Sequence, residues 1–166
     1  MKKIPTMFVR DETLRGHPVT SEVKPECQWV LDGEGVPTSK LDGTNMKVVD
    51  GVMSKRQKPK SGEYDEASYV ECERTNPADR WAFEAFDSIQ PLAEDGIYEL
   101  LGPKIQGNRH CYENHTLVRV VPFSADLEIP ADHLRDRSFE GLQDFLSRSR
   151  DEGIVFHHPD GRMAKI

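Results

Sequence analysis

Gly153-Ile154-Val155-Phe156-His157-His158 and Arg162-Met163-Ala164-Lys165-Ile166, joined by Pro159-Asp160-Gly161, read as the two arms of a β-hairpin. Side chains alternate along a strand with a period of two, so the pairing register decides which residues share a face. With Asp160-Gly161 as a two-residue turn, the strongest short hairpin signal, Phe156 stands opposite Lys165. Lys165 then falls on the face of Ile154 and Glu152, and this register is the expectation. A three-residue Pro159-Asp160-Gly161 loop would instead pair Lys165 with Val155 and turn it to the opposite face, unless a bulge at Gly153 resets the alternation.

Upstream of the hairpin, Ser138 reads as the cap of a helix whose apolar face carries Phe139, Leu142, Phe145 and Leu146. An earlier helix is expected after Asn76-Pro77, a cap followed by proline at the first helical position. Trp81, Phe83, Ala85, Phe86 and Ile89 form its apolar side, and it should stop before Pro91. Strands are expected at Cys27–Leu31, Met46–Val49, Gly96–Gly102 and Thr116–Val121, with turn-rich Asp32–Pro37 after the first of them. Strands in runs, broken by two helices, imply an α+β fold with mainly antiparallel sheets flanked by helices.

The length of 166 residues suits one domain, and no repeat or low-complexity linker divides residues 1–166. No apolar run is long enough for a membrane span, and Met1-Lys2-Lys3-Ile4-Pro5 lacks the core of a signal peptide, so a cytoplasmic location is expected. Cys27, Cys72 and Cys111 are odd in number and far apart, which argues against a disulfide framework or a structural zinc site. The 22 Lys+Arg against 29 Asp+Glu give a net charge of -7, so contact with nucleic acid has to be local. Ser54–Gly62, with Lys55, Arg56, Lys58 and Lys60 and no acid, is the segment that fits. Its bland alternative is a solvated loop.

Chemistry is suggested by four short motifs in a fixed order. Lys40-Leu41-Asp42-Gly43-Thr44-Asn45 comes first, followed by Tyr98-Glu99-Leu100-Leu101-Gly102, then Glu152-Gly153-Ile154-Val155, then Ala164-Lys165-Ile166. Together they resemble motifs I, III, IV and the start of motif V of the covalent nucleotidyltransferases, the polynucleotide ligases and RNA capping enzymes. Thr44-Asn45 after Lys-x-Asp-Gly is similar to the ATP-dependent RNA ligases. DNA ligases and capping enzymes commonly carry arginine where Asn45 stands.

The resemblance implies an ATP-grasp-like core in which the Lys40 amine attacks the ATP α-phosphorus. A lysine amine at its ordinary pKa of about 10.4 is neutral in under about one molecule per thousand at pH 7, so neighbouring cations must tune it. Lys165 and a divalent metal are the implied tuners. Glu152 would hold Mg²⁺ or Mn²⁺, Glu99 would contact the ribose, Val155 would pack on the base, and Asp42 and Asn45 would complete the nucleotide site. The partner would be RNA with 5′-phosphate and 3′-hydroxyl ends, and the protein is expected to act as a monomer.

Three departures from the family pattern matter. Ser39 stands where the RNA-ligase branch often has glutamate, so adenine recognition would rely on backbone groups of Thr38 and Ser39. The stacking aromatic has no clean counterpart, and Phe123 is the candidate. Motif V usually offers Lys-x-Lys, whereas the sequence stops at Ile166 with the first lysine; either motif V is cut there or the enzyme is degenerate. The alternatives are a DNA ligase or GTP-using capping enzyme, and an inactive nucleotide- or RNA-end-binding protein. For the basic segment, replacing Arg56 and Lys60 together with alanine should weaken RNA binding and flatten its salt dependence, because fewer counterions are released. Filter binding across a salt series measures both; unchanged affinity and slope would leave a solvated loop.

Overall fold

A computed structural model describes residues 4–57 and 69–166. The elements run β1 (Phe8–Arg10), β2 (Val19–Val23), α1 (Gln28–Leu31), β3 (Val36–Lys40), β4 (Thr44–Val49), β5 (Val52–Arg56), β6 (Tyr69–Glu71), α2 (Arg80–Ile89), β7 (Gly96–Leu101), β8 (Thr116–Arg119), α3 (Phe139–Arg148), β9 (Gly153–His157) and β10 (Met163–Lys165). Among the described residues these strands pair antiparallel with one another, and an isolated parallel bridge joins Thr6 to Lys165, so the chain is α+β with mainly antiparallel sheets. Among the described residues no helix is long and apolar enough to cross a membrane. The chain divides into two compact units, one of residues 41–121 and one of residues 4–40 with 122–166.

In the 41–121 unit, five strands take the order β6-β5-β4-β7-β8. Asn76 caps the turn into α2 as expected, its side chain accepting from the Ala78 amide at 3.0 Å, and the helix ends ahead of Pro91. The residues of α2 that are fully buried are Ala82, Ala85 and Phe86, which pack with Met46, Val48, Met53, Tyr98, Leu100 and Leu117. Trp81 instead stacks on His115, ring centroids 4.4 Å apart. The expected basic loop begins as a strand, since Lys55 and Arg56 belong to β5 and Lys55 pairs with the buried carboxylate of Asp79. Lys60 lies outside the described residues.

In the other unit, β10-β9-β3 form one sheet and β1-β2 a two-stranded ribbon. Ser138 caps α3 as expected, accepting from the Gly141 amide, and Leu142 is fully buried with Phe8, Trp29, Ile154 and Phe156. Two expectations fail here. Cys27–Leu31 is helical: Pro25 opens a 3-10 turn with Glu26 in its first turn, a helix-start signal that outweighs the strand propensity of Trp29 and Val30. Val36 and Pro37 lie in β3, not in a turn, so Lys40 ends a strand instead of preceding one. Proline is tolerated there because residue 37 faces away from β9; its carbonyl accepts from Ile129 and no ladder bond is lost.

The hairpin adopts the three-residue loop, and the two-residue register is overturned. Met163 pairs with His157, Ala164 with Phe156 and Lys165 with Val155. A two-residue turn would make Pro159 the closing residue, which must donate an amide hydrogen that proline lacks. His158 closes the ladder instead, donating to the Arg162 carbonyl at 2.9 Å, while Gly161 donates back to His158 at 2.9 Å. Gly161 has φ 92° with open space around it, so only its backbone resists a side chain. Gly161→Ala should therefore cost about 1–2 kcal/mol of stability through the left-handed conformation alone, as read by urea unfolding.

Candidate active site

The register of β3, β9 and β10 divides the sheet into two faces. Thr38 pairs with Val155 and Lys40 with Gly153, while Val155 pairs in turn with Lys165. One face therefore carries Ile154, Phe156 and Ala164, all fully buried in the core. The other carries Thr38, Lys40, Val155, His157 and Lys165. Lys165 thus stands on the face of Lys40 because of the three-residue loop, not in spite of it. Val155 is half-buried on this face instead of belonging to the core.

Lys40 donates to the Glu152 carboxylate, and the Glu152 amide donates to the Lys40 carbonyl at 3.1 Å, so backbone and side chain both hold the pair. Their side chains are 26% and 39% exposed, open enough to exchange partners. Opposite Lys40 the strand carries Gly153. A Cβ there would collide with the Ile166 carbonyl oxygen and sit 3.6 Å from the Lys40 stem, which runs across the glycine. Lys165 is fixed on both sides: it pairs with Val155, its amide donates to Pro5 at 2.9 Å, and its carbonyl accepts from Met7 at 2.7 Å.

Ser39 points to the core-side face, and its amide donates to the Leu127 carbonyl at 2.7 Å, so that amide is already engaged. Thr38 is buried; its hydroxyl donates to the Val155 carbonyl at 3.2 Å and lies 3.0 Å from His157 Nε2. His157 Nδ1 is buried and has no hydrogen-bond partner among the described residues. The ring of Phe123, 44% exposed, has its centroid 5.8 Å from that of His157. His157 was not among the expected site residues, although strand alternation from Val155 points to it.

In the 41–121 unit, Asn45 and Glu99 stand opposite each other on β4 and β7, and the Asn45 amide donates to Glu99 at 3.4 Å. The Tyr69 hydroxyl donates to Asn45 Oδ1 at 2.6 Å, which turns the Asn45 amide nitrogen toward Glu99. Nothing in the sequence singles out Tyr69. The Asp42 amide donates to His110 Nε2 at 3.1 Å, and Arg56 pairs with Tyr69 across β5 and β6.

The chain matches no protein-family model and no curated protein. What it does is therefore read from its own residues and from the four short motifs. For a divalent cation the fit is partial in a way that suits Mg²⁺, which usually takes one or two carboxylates and lets substrate phosphate supply the rest. Glu152 offers such a carboxylate. Among the described residues no group of three or more His, Cys, Asp or Glu side chains could hold a metal unaided.

Burial pushes the His157 imidazole below its ordinary value. The unfolded chain takes up a proton on this ring below about pH 6.5 that the folded chain resists, so stability should fall as pH drops from about 6.5. Urea unfolding between pH 7.5 and 5 should show that decline, and His157→Phe should flatten it.

Proposed function

We propose that the chain is an ATP-dependent RNA ligase whose ATP-grasp-like nucleotidyltransferase core works through a lysyl-AMP intermediate. The observation that carries this reading is the gathering of Lys40, Glu152, Val155 and Lys165, drawn from three of the four motifs, around one sheet face. At a strand spacing of about 4.8 Å and a rise of about 3.3 Å per residue, the Cα positions of Lys40 and Lys165 are about 12 Å apart. Two lysine side chains reaching in from that separation leave room for a phosphate group between their tips.

The Lys40 Nζ lone pair forms a bond to the ATP α-phosphorus, the bond from that phosphorus to the bridging oxygen breaks, and pyrophosphate leaves. Lys165 sets positive charge beside the phosphates, and such displacement depends mainly on positioning and charge neutralisation. Glu152 holds Lys40 in place before the nucleotide arrives. Mg²⁺, held by Glu152 and the nucleotide phosphates, would add further charge neutralisation. A 5′-phosphate oxygen of RNA then attacks the AMP phosphorus and releases Lys40, and a 3′-hydroxyl displaces AMP to seal the ends. Asp42, Asn45 and Glu99 enter this reading through the motif resemblance, and the Tyr69–Asn45–Glu99 hydrogen bonds give two of them a fixed orientation.

Incubation with ATP and Mg²⁺ should add one AMP to the intact mass. Lys40→Ala should abolish the adduct, and so should Lys40→Arg, which keeps a cation beside Glu152 as a control for folding. An undiminished adduct on both variants assigns the chemistry elsewhere. Nucleotide binding without any adduct favours the inactive binder.

A further inference from the structure

Thr38 and His157 form a buried pair to which the motif resemblance assigns no joint role. The Thr38 hydroxyl has a single proton and two neighbours, and assigning that proton to the Val155 carbonyl, 3.2 Å away, satisfies the carbonyl and the ring together. Oγ1 is then an acceptor toward His157, so the 3.0 Å contact requires the ring proton to sit on Nε2. In a neutral imidazole this leaves Nδ1 a bare acceptor, and it is the atom left buried without a partner. Burial, which disfavours the imidazolium, keeps the ring in that neutral form.

The position of the orphan acceptor is telling. His157 follows Val155 by one strand repeat on the face of Lys40, at the end away from the nucleophile. About 7 Å separates successive same-face residues, so His157 lies beyond the Val155 position expected to pack on the base. Beside it, Phe123 is half-exposed and holds φ 59°, a left-handed conformation that non-glycine residues adopt sparingly.

Resting on the reading proposed above, we infer that His157 Nδ1 accepts a hydrogen bond from the 6-amino group of the nucleobase, so that the Thr38–His157 pair selects adenine over 6-oxopurines. A base reaches Nδ1 by displacing the Phe123 ring, and the displaced ring offers its face for stacking. Guanine or hypoxanthine brings a carbonyl oxygen to the same place, setting acceptor against acceptor and leaving both unpaired. Sites built on one hydrogen-bonding pattern reject the reversed pattern strongly, because buried groups then lose their partners.

The test is the rate of adduct formation with ATP, ITP and GTP at low nucleotide concentration, with dissociation constants for the same nucleotides from calorimetry. The wild-type chain should favour ATP over ITP by about tenfold or more. Thr38→Val removes the group that fixes the ring tautomer, so Nδ1 can carry the proton and donate to a 6-oxo group; the ATP-to-ITP ratio should fall toward one. His157→Phe, which keeps ring volume, should lose the preference by weakening ATP. If His157→Phe does not fold, Thr38→Val decides alone. A wild-type chain indifferent to ATP and ITP, or an unchanged ratio in folded variants, overturns the assignment. If no nucleotide forms an adduct, the ligase reading fails while calorimetry still decides the base preference; no binding of either nucleotide overturns both.

Discussion

Because Pro159 has no amide hydrogen, the β9–β10 ladder closes at His158 and Arg162, and the pairing of every later residue follows from that closure. Lys165 is set opposite Val155, Val155 opposite Thr38, and the row continues the face on which Lys40 stands. Displacing the closure by one residue would turn Lys165 to the core side. A missing donor in a turn thus decides which charged groups share a face of the sheet.

The energetic weight lies on the opposite face. Ile154 and Phe156 are fully buried, and burial of side chains of this size contributes about 1.5–3 kcal/mol each. The partly exposed Lys40–Glu152 pair belongs to a class worth about 0–1 kcal/mol. The sheet is therefore held by its apolar side, and the polar side is carried with it. That division leaves Lys40 and Glu152 able to trade partners without putting the fold at risk.

Much of this was legible in the sequence, unevenly. The two caps, Asn76 and Ser138, are local signals with a local mechanism: α3 begins directly after Ser138, and Asn76 caps a 3-10 turn, Pro77–Asp79, that leads into α2. The helix at Gln28–Leu31 was obscured because Trp29 and Val30 favour strands, whereas Pro25 and Glu26 acted through the backbone of a single turn. β3 was hidden by Pro37, whose incompatibility with a strand depends on which edge its nitrogen faces, a tertiary fact. Within the site, Lys40, Glu152 and Lys165 came from motifs. His157 needed the correct register, and Tyr69 needed the side-chain contact to Asn45, which no spacing encodes.

The strands that assemble around Lys40 come from distant parts of the chain, and Lys40 and Glu152 are 112 positions apart. Residues 41–121 form their own sheet in between, with every strand pairing internal to that stretch. During synthesis from the N-terminus, this middle unit can complete its sheet while β3 still awaits β9. Lys40 is made early and its sheet neighbours last. A nascent or prematurely released chain would carry Lys40 on an unpaired strand, without Glu152 to hold it or Lys165 on the same face, until the C-terminal hairpin is made.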